Sequence, residues 1–296
     1  MAVPQAVPLT GTKTFTTGFE GRVLRSGEYR CGHTNVNLGG ERHVPYVSLT
    51  ITRHGAYCKH GRNGKTLLDT QRVAFFNPGE TYRSSHPLGC GDHGEFLDVR
   101  QDVVDDVVLA LEPSLRDRST GPFPWDDGPL APAAALELER LIAAQNAPKD
   151  VDALELEERW LALFERFVAD AVAARERRPH APSRRRFTPH GVGDAVLAAR
   201  AFVATRCTES SSLTELAAAV GSSPFHLSRS FRALVGVPLF RYREHCRLRL
   251  ALERLRAGAR DLTQLALELG FSSHSHFTHR FRAVFGLTPT QLRAMF

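Results

Sequence analysis

Two stretches of this 296-residue chain, fifty positions apart, carry the same chemistry at the same helical spacing. Phe225, Ser228, Arg229 and Arg232 stand at i, i+3, i+4 and i+7, and Ser275, Thr278, His279 and Arg282 repeat that pattern. Residues at these intervals share one side of an α-helix. Both sides are polar and cationic, and neither holds a carboxylate. A merely solvated face accepts acids as readily as bases, so the bias in both copies points to a polyanion. Hydroxyl, imidazole and guanidinium groups are the donors that reach phosphate oxygens and base edges in a DNA groove.

A second set of reactive side chains lies in the first hundred residues: His33, His43, His54, Cys58, His60, His86, Cys90 and His93. Cys58 and His60 alternate onto one side of an extended segment, and Cys90 with His93 can join them from a loop. Those four are the candidates for a zinc or copper site. Oxidation of a thiol, or its attack on an electrophile, is the alternative chemistry. Against both, no pair has the spacing of a known zinc motif, and buried cysteine is commonly a small core residue. The remaining reading is an organic-ligand pocket drawing on Tyr46, Phe76 and Tyr82, with Cys58, His60 and His86 beside them. Five cysteines, an odd number without any CxxC, argue for reduced thiols rather than a disulfide framework.

The elements that position the cationic faces form an internal repeat. LTELAAAVGSSPFHLSRSFRALVGVP starts at Leu213, and LTQLALELGFSSHSHFTHRFRAVFGLTP at Leu262. Leu213, Leu216, Ala217 and Gly221 recur as Leu262, Leu265, Ala266 and Gly270, and Phe231-Arg232 recurs as Phe281-Arg282 after one extra residue. Repetition of this kind is an architectural signal. In each copy a short helix starts near a hydroxyl residue, Ser212 or Thr263, and ends at a glycine that permits a tight turn. A second helix follows from Ser223-Pro224 or Ser272-Ser273. Its inward positions are read as Leu227, Phe231 and Leu234 in the first copy, and Phe277, Phe281 and Val284 in the second. Between the copies, residues 239–258 read as one helix of about 28 Å. Such a rod holds two recognition helices near the ~34 Å separation of successive major grooves. One polypeptide would then grip two grooves.

Charge is divided accordingly. Residues 191–296 contain fourteen arginines, no lysine and seven carboxylates, an excess of seven positive charges against +6 for the whole chain. A basic excess confined to one segment is the footprint of a phosphate-binding module. Arginine without lysine favours bidentate contacts to phosphate and guanine.

The remaining residues bound a separate domain. Residues 47–55, 65–70, 72–83 and 94–101 read as short strands between turn residues, which suggests a small β-barrel or sandwich. Helical patterns follow at 101–112, 131–145 and 153–177. The last places Leu156, Trp160, Leu163, Phe164 and Phe167 on one stripe, suited to a core or to pairing with a second subunit. Residues 177–189, with Arg184-Arg185-Arg186, read as an exposed linker. No run of eighteen apolar residues and no signal-peptide pattern is found, so a soluble, cytoplasmic protein without membrane contact is expected.

The C-terminal stretch, about residues 191–293, resembles the AraC/XylS family of transcription regulators. The resemblance rests on Arg247-Leu248-x-x-Ala251-x-x-x-Leu255, on Gly270-Phe271-Ser272-Ser273, and on Phe285-Gly286-x-x-Pro289-x-x-x-Arg293. It implies DNA contacts by Phe225, Ser228, Arg229, Arg232, His274, Ser275, Thr278, His279 and Arg282. One departure is His279, where the family usually carries arginine or a similar long polar residue, with Arg280 one step round the helix. This bears on the base preference and pH response of the second half. Upstream, the FFNPGETYRSSHP stretch and the element order are similar to regulators with a cupin-like sensor. The fold so implied is α+β: a cupin-like β-barrel with a helix pair over 1–177, a linker at 178–190, and an all-α domain with two helix-turn-helix units over 191–296. The metal-binding cupin signature is missing, so no metal site and no cofactor is carried over.

The function implied is sequence-specific transcription regulation without catalysis. Its partners would be double-stranded promoter DNA, RNA polymerase, a small effector and a second copy of the chain. A Cys/His regulator sensing metal or thiol chemistry is the alternative, followed by a catalytic cupin fused to a DNA-binding tail. A DNA-repair methyl acceptor would need four clustered cysteine ligands and a Pro-Cys-His-Arg motif, and the chain has neither.

Overall fold

In the computed structural model, residues 13–33, 36–115, 121–147, 151–176 and 192–296 are described. The chain divides into two compact units, Met1–His180 and Ala181–Phe296. The linker expected at 178–190, with Arg184 to Arg186, lies outside the described residues. No helix among the described residues is long and apolar enough to cross a membrane.

The first unit contains two antiparallel sheets. The larger is built from β1 (Lys13–Glu20), β2 (Leu24–Cys31), β4 (Val47–His54), β7 (Arg72–Phe76), β9 (Asp92–Val99) and β10 (Asp127–Pro129), in the order β1-β2-β9-β4-β7-β10. The smaller holds β3 (Glu41–His43), β5 (Tyr57–Gly61), β6 (Gly64–Leu68) and β8 (Thr81–Ser85), in the order β3-β8-β5-β6. The strands therefore divide between two sheets instead of closing the barrel that the sequence suggested. The segment read as one strand at 72–83 is split by Asn77-Pro78-Gly79, where Gly79 takes a φ of +77°. Its halves belong to different sheets.

The sheets meet through Val44, Tyr57, Leu68, Ala74, Phe76 and Tyr82, which form one buried cluster. Tyr57 and Lys59 of β5 point toward the larger sheet. The Tyr57 hydroxyl lies 3.0 Å from Thr50 Oγ1, and Lys59 Nζ donates to the Phe75 carbonyl at 2.9 Å. Lys59 is fully buried, so its charge needs partners. Glu80 at 2.6 Å and Asp126 at 3.4 Å supply them.

Helices cover the other face of the larger sheet: α1 (Gln101–Leu111), α2 (Pro132–Asn146) and α3 (Ala153–Glu176). Arg53 of β4 bonds Glu95 of β9 at 3.0 Å and Glu139 of α2 at 2.7 and 2.9 Å, riveting helix to sheet. Burial lifts the Glu95 pKa to about 7, against the opposing pull of Arg53. On α3 the stripe Leu156, Trp160, Leu163, Phe164 and Phe167 is buried, with Trp160 and Phe164 at 0 % exposure. A single copy of the chain covers this stripe completely, so it is core and offers no face to a second subunit.

Among its described residues the second unit is all helical: α4 (Val192–Thr205), α5 (Leu213–Ala219), α6 (Pro224–Val235), α7 (Leu239–Arg256), α8 (Leu262–Glu268), α9 (His274–Phe285) and α10 (Pro289–Arg293). Its first core gathers Val196, Ala199 and Val203 of α4, Leu216 and Ala217 of α5, Leu227 and Phe231 of α6, and Tyr242 and Cys246 of α7. At 18 residues, α7 is about 27 Å long.

Candidate nucleic-acid interface and effector cavity

Local signals set both helix-turn-helix units. Ser212 and Glu215 form a reciprocal capping box on α5, with Ser212 Oγ accepting the Glu215 amide at 3.1 Å and Glu215 Oε2 accepting the Ser212 amide at 2.8 Å. The turn that follows needs left-handed backbone, which Gly221 supplies at φ +66° and its counterpart Gly270 at φ +79°. Ser223 then caps α6 by accepting the His226 amide, and Ser273 caps α9 by accepting the His276 amide. One expectation is corrected: α8 is capped by Asp261, which accepts the amides of Thr263 and Gln264, rather than by Thr263 itself.

On α6, Leu227 and Phe231 point inward, and Phe231 packs edge-on against Tyr242 with ring centroids 5.4 Å apart. Leu234, expected inside, is 46 % exposed. The buried stripe advances in steps of four, so Val235 packs against the core in its place. On α9, Phe277 and Phe281 are buried, and Phe271, Phe277, Phe281 and Phe285 make a ladder of rings 4.7–5.6 Å apart. Val284 is half-buried.

The outward faces are those the spacing indicated. Phe225, at 75 % exposure, with Ser228, Arg229 and Arg232, is open on α6. Ser275, His279 and Arg282 are exposed on α9, where His274 and Thr278 are half-buried and paired at 3.3 Å. No carboxylate occurs in either helix. Arg280 is not a stand-in for the arginine missing at position 279. It is turned to α7, where Glu244 accepts its Nε at 2.6 Å and its Nη2 at 2.8 Å.

Sequence reading missed the residues that orient these helices. Glu244 also accepts Arg241 Nη1 at 2.9 Å, so one carboxylate joins α7 to the second recognition helix. Arg247 of α7 donates to the Cys207 carbonyl at 2.7 Å and to the Gly270 carbonyl at 2.6 Å, holding the second turn to the end of the α4 region. Arg243 clasps Ser211 through its carbonyl and its hydroxyl, both at 2.8 Å. The available signal was the arginine-rich sequence of α7, in which Glu244 is the one acid before position 253.

In the first unit, Tyr46, Phe76 and Tyr82 line one cavity with Lys13, Phe15 and Phe96, partly open to solvent. Phe76 and Tyr82 lie 5.1 Å apart, and burial pushes the Tyr82 phenol up to about 12. Cys58 and His60 do not line it. By strand alternation they face away from Tyr57 and Lys59, and His60 Nε2 instead lies 2.8 Å from Ser85 Oγ. Cys58, His60 and Cys90 fall in no group of three metal-ligating atoms among the described residues, and His93 stacks on His54 at 4.5 Å.

His86 occupies a smaller neighbouring cell with Cys31 and Asp92. The register of β2 on β9 sets Cys31 opposite Asp92. His86 Nε2 is 2.6 Å from Asp92 Oδ1 and 3.8 Å from Cys31 Sγ. Burial alone would lower the His86 pKa, but its bonds to Asp92 and Cys31 prevail and push it up to about 9. For Asp92 burial works upward, and His86 and Lys13 prevail to lower it. Lys13 lies with its ammonium 4.1 Å from the Tyr29 ring centre, its own pKa drawn down chiefly by burial.

Residues 216–295 match the family model described as "Helix-turn-helix domain". The chain is 34 % identical over 82 residues to the HTH-type transcriptional activator AarP of Providencia stuartii, a match covering 28 % of this chain and 61 % of that protein. It is 33 % identical over 153 residues to the HTH-type transcriptional regulator GlxA of Rhizobium meliloti, covering 50 % and 46 % respectively. The chain thus spans less than two thirds of the length of these relatives. Among solved structures, ToxT from Vibrio cholerae aligns over 92 % of this chain and 98 % of its own, at 10 % identity and a TM-score of 0.34. A transcriptional regulator from Chromobacterium violaceum, described as having an AraC-type DNA-binding domain, aligns over 35 % and 88 % at 31 % identity and a TM-score of 0.30. Residues 216–295 are thus a helix-turn-helix domain, similar to those of HTH-type transcription regulators.

Proposed function

We propose that the protein is a sequence-specific DNA-binding transcription regulator that responds to a small effector through its N-terminal, cupin-like β-sandwich. The observation that carries this reading is the pair of exposed, carboxylate-free recognition faces on α6 and α9, joined by the rod-like α7. The aromatic cavity lined by Tyr46, Phe76 and Tyr82 supports the effector part. In this reading the protein acts at promoters, with RNA polymerase and a second copy of the chain as further partners, and the chemistry is recognition rather than catalysis.

Footprinting with the full-length protein tests it. Protection is expected on one face of the duplex over two successive turns, and protection of a single groove at saturation sinks the two-groove model. Arg229 is assigned base discrimination and Arg232, in the last turn of α6, phosphate contact. Arg229→Ala should cost about 1–3 kcal/mol on the cognate site and relax preference at one position. Arg232→Ala should weaken all sequences alike and flatten the salt dependence. Identical sequence profiles and salt slopes in the two variants would refute the assignment.

A further inference from the structure

Phe225 is the most exposed large apolar side chain among the described residues, at 75 %. It is the second residue of α6, directly after the Ser223 cap and Pro224. The core of this unit closes without it, since Leu227 and Phe231 of the same helix are buried. A phenyl ring left in water forgoes the stabilisation that burial would give, so folding does not explain the residue. The matching place on α9, second after its own cap Ser273, holds Ser275. The two recognition helices therefore differ at one apolar contact.

On the DNA-binding reading, on which this inference rests, the first turn of a recognition helix meets base edges in the major groove. Those edges are donors and acceptors at every base pair, with one apolar exception, the C5-methyl group of thymine. A phenyl ring laid on any other edge strips water from a polar atom and gives no bond in return. The phosphates likewise offer it only charged oxygens. A ring laid on the methyl group removes two apolar surfaces from water at once.

We propose that Phe225 reads the 5-methyl group of a thymine, and that this reading is confined to the half of the site held by the first helix-turn-helix unit. Its place in the site follows from the helix. Phe225 and Arg229 share one face of α6 and stand about one 5.4 Å turn apart, whereas base pairs are stacked about 3.4 Å apart. The thymine therefore lies within about two base pairs of the position assigned to Arg229. With Ser275 at the matching place on α9, the two halves are read differently. The methyl group thus fixes the direction in which one chain lies on the duplex.

A duplex selected from a random pool by the full-length protein supplies the probe, and deoxyuridine then replaces each thymine in turn, removing only the methyl group. One replacement, beside the position relaxed by Arg229→Ala, should weaken binding about three- to fivefold, the worth of one buried methyl group. Phe225→Ala should bind the thymine and deoxyuridine duplexes equally, whereas Arg229→Ala should keep the difference. At the same position 5-methylcytosine should bind the parent protein better than cytosine does, and Phe225→Ala no better. Phe225→Leu, still apolar, should keep part of the methyl preference. No deoxyuridine-sensitive thymine in the first half, or a sensitivity that survives in Phe225→Ala, would overturn the proposal. So would a DNA affinity untouched by Phe225→Ala, which would leave the exposed ring to a protein partner. Selection that yields no preferred sequence sinks the DNA-binding reading together with this one. A clear selected site without a Phe225-dependent methyl preference sinks this inference alone.

Discussion

At the scale of single residues, His86 gives the first domain one pH-dependent contact whose contribution can be isolated. Its pKa of about 9 stands above the ordinary 6.5, held there by Asp92 at 2.6 Å and by Cys31. A group whose folded pKa is raised stabilises fully below its unfolded pKa and loses that contribution as the pH climbs through the folded value. The lowered pKa of Asp92 reports the same interaction from its other end, with its share lost as the pH falls below the ordinary carboxylate value of 3.8. The contribution of this pair should therefore be fullest between those two ordinary values, 3.8 and 6.5, and be lost from pH 6.5 toward pH 9. Denaturation midpoints across that range, for the parent and His86→Gln, measure it. The variant should start lower and show a flatter slope, and parallel declines in the two proteins would rule the assignment out.

At the scale of elements, Glu244 is the joint between α7 and the second recognition helix. It accepts two bonds from Arg280 and one from Arg241 in a partly buried setting. Glu244→Gln should destabilise the second domain by about 1–2 kcal/mol, since charge-assisted bonds become neutral ones. It should also release Arg280 beside the DNA face and steepen the salt dependence of binding by about one phosphate equivalent. Unchanged unfolding and an unchanged salt slope would together deny the joint its role. That joint was not legible in the sequence, because Glu244 and Arg280 are 36 positions apart. The helices it joins were legible, since caps, turn glycines and the 3.6 period are all local. Strands fared worse. β2 reads as polar, LRSGEYRC, yet Arg25 and Ser26 are buried because Asp98 and Gln145 pair with them from distant elements. Cys58 and His60 looked like a ligand pair on one side of a strand, but the residues beside the cavities are their neighbours in the alternation. The cell of Cys31, His86 and Asp92 is assembled by the register of β2 on β9 and by the chain just after β8, and no short-range pattern announces such a meeting.

At the scale of the whole molecule, the two compact units predict that damage to one need not reach the other. The α3 stripe provides the means to test this. Leu163 is 3 % exposed and Trp160 and Phe164 are fully buried, within a domain that already seals its core in a single copy. Leu163→Glu buries an unpaired carboxylate among them, which should cost about 3–5 kcal/mol or force the group to take up a proton. The first domain, with marginal stability of the usual ~5–15 kcal/mol, should then melt early, expose its protease-sensitive sites and lose effector binding. The second domain draws its core from Val196, Leu227, Phe231, Tyr242 and their neighbours, none of which lies in the first unit. It should keep its own transition and protect the same base pairs on a single DNA site. Calorimetry paired with footprinting separates the outcomes. A well-folded Leu163→Glu protein with weakened binding only at paired sites would return the stripe to an intersubunit role. A single merged transition that also abolishes DNA protection would show that the two units fold as one.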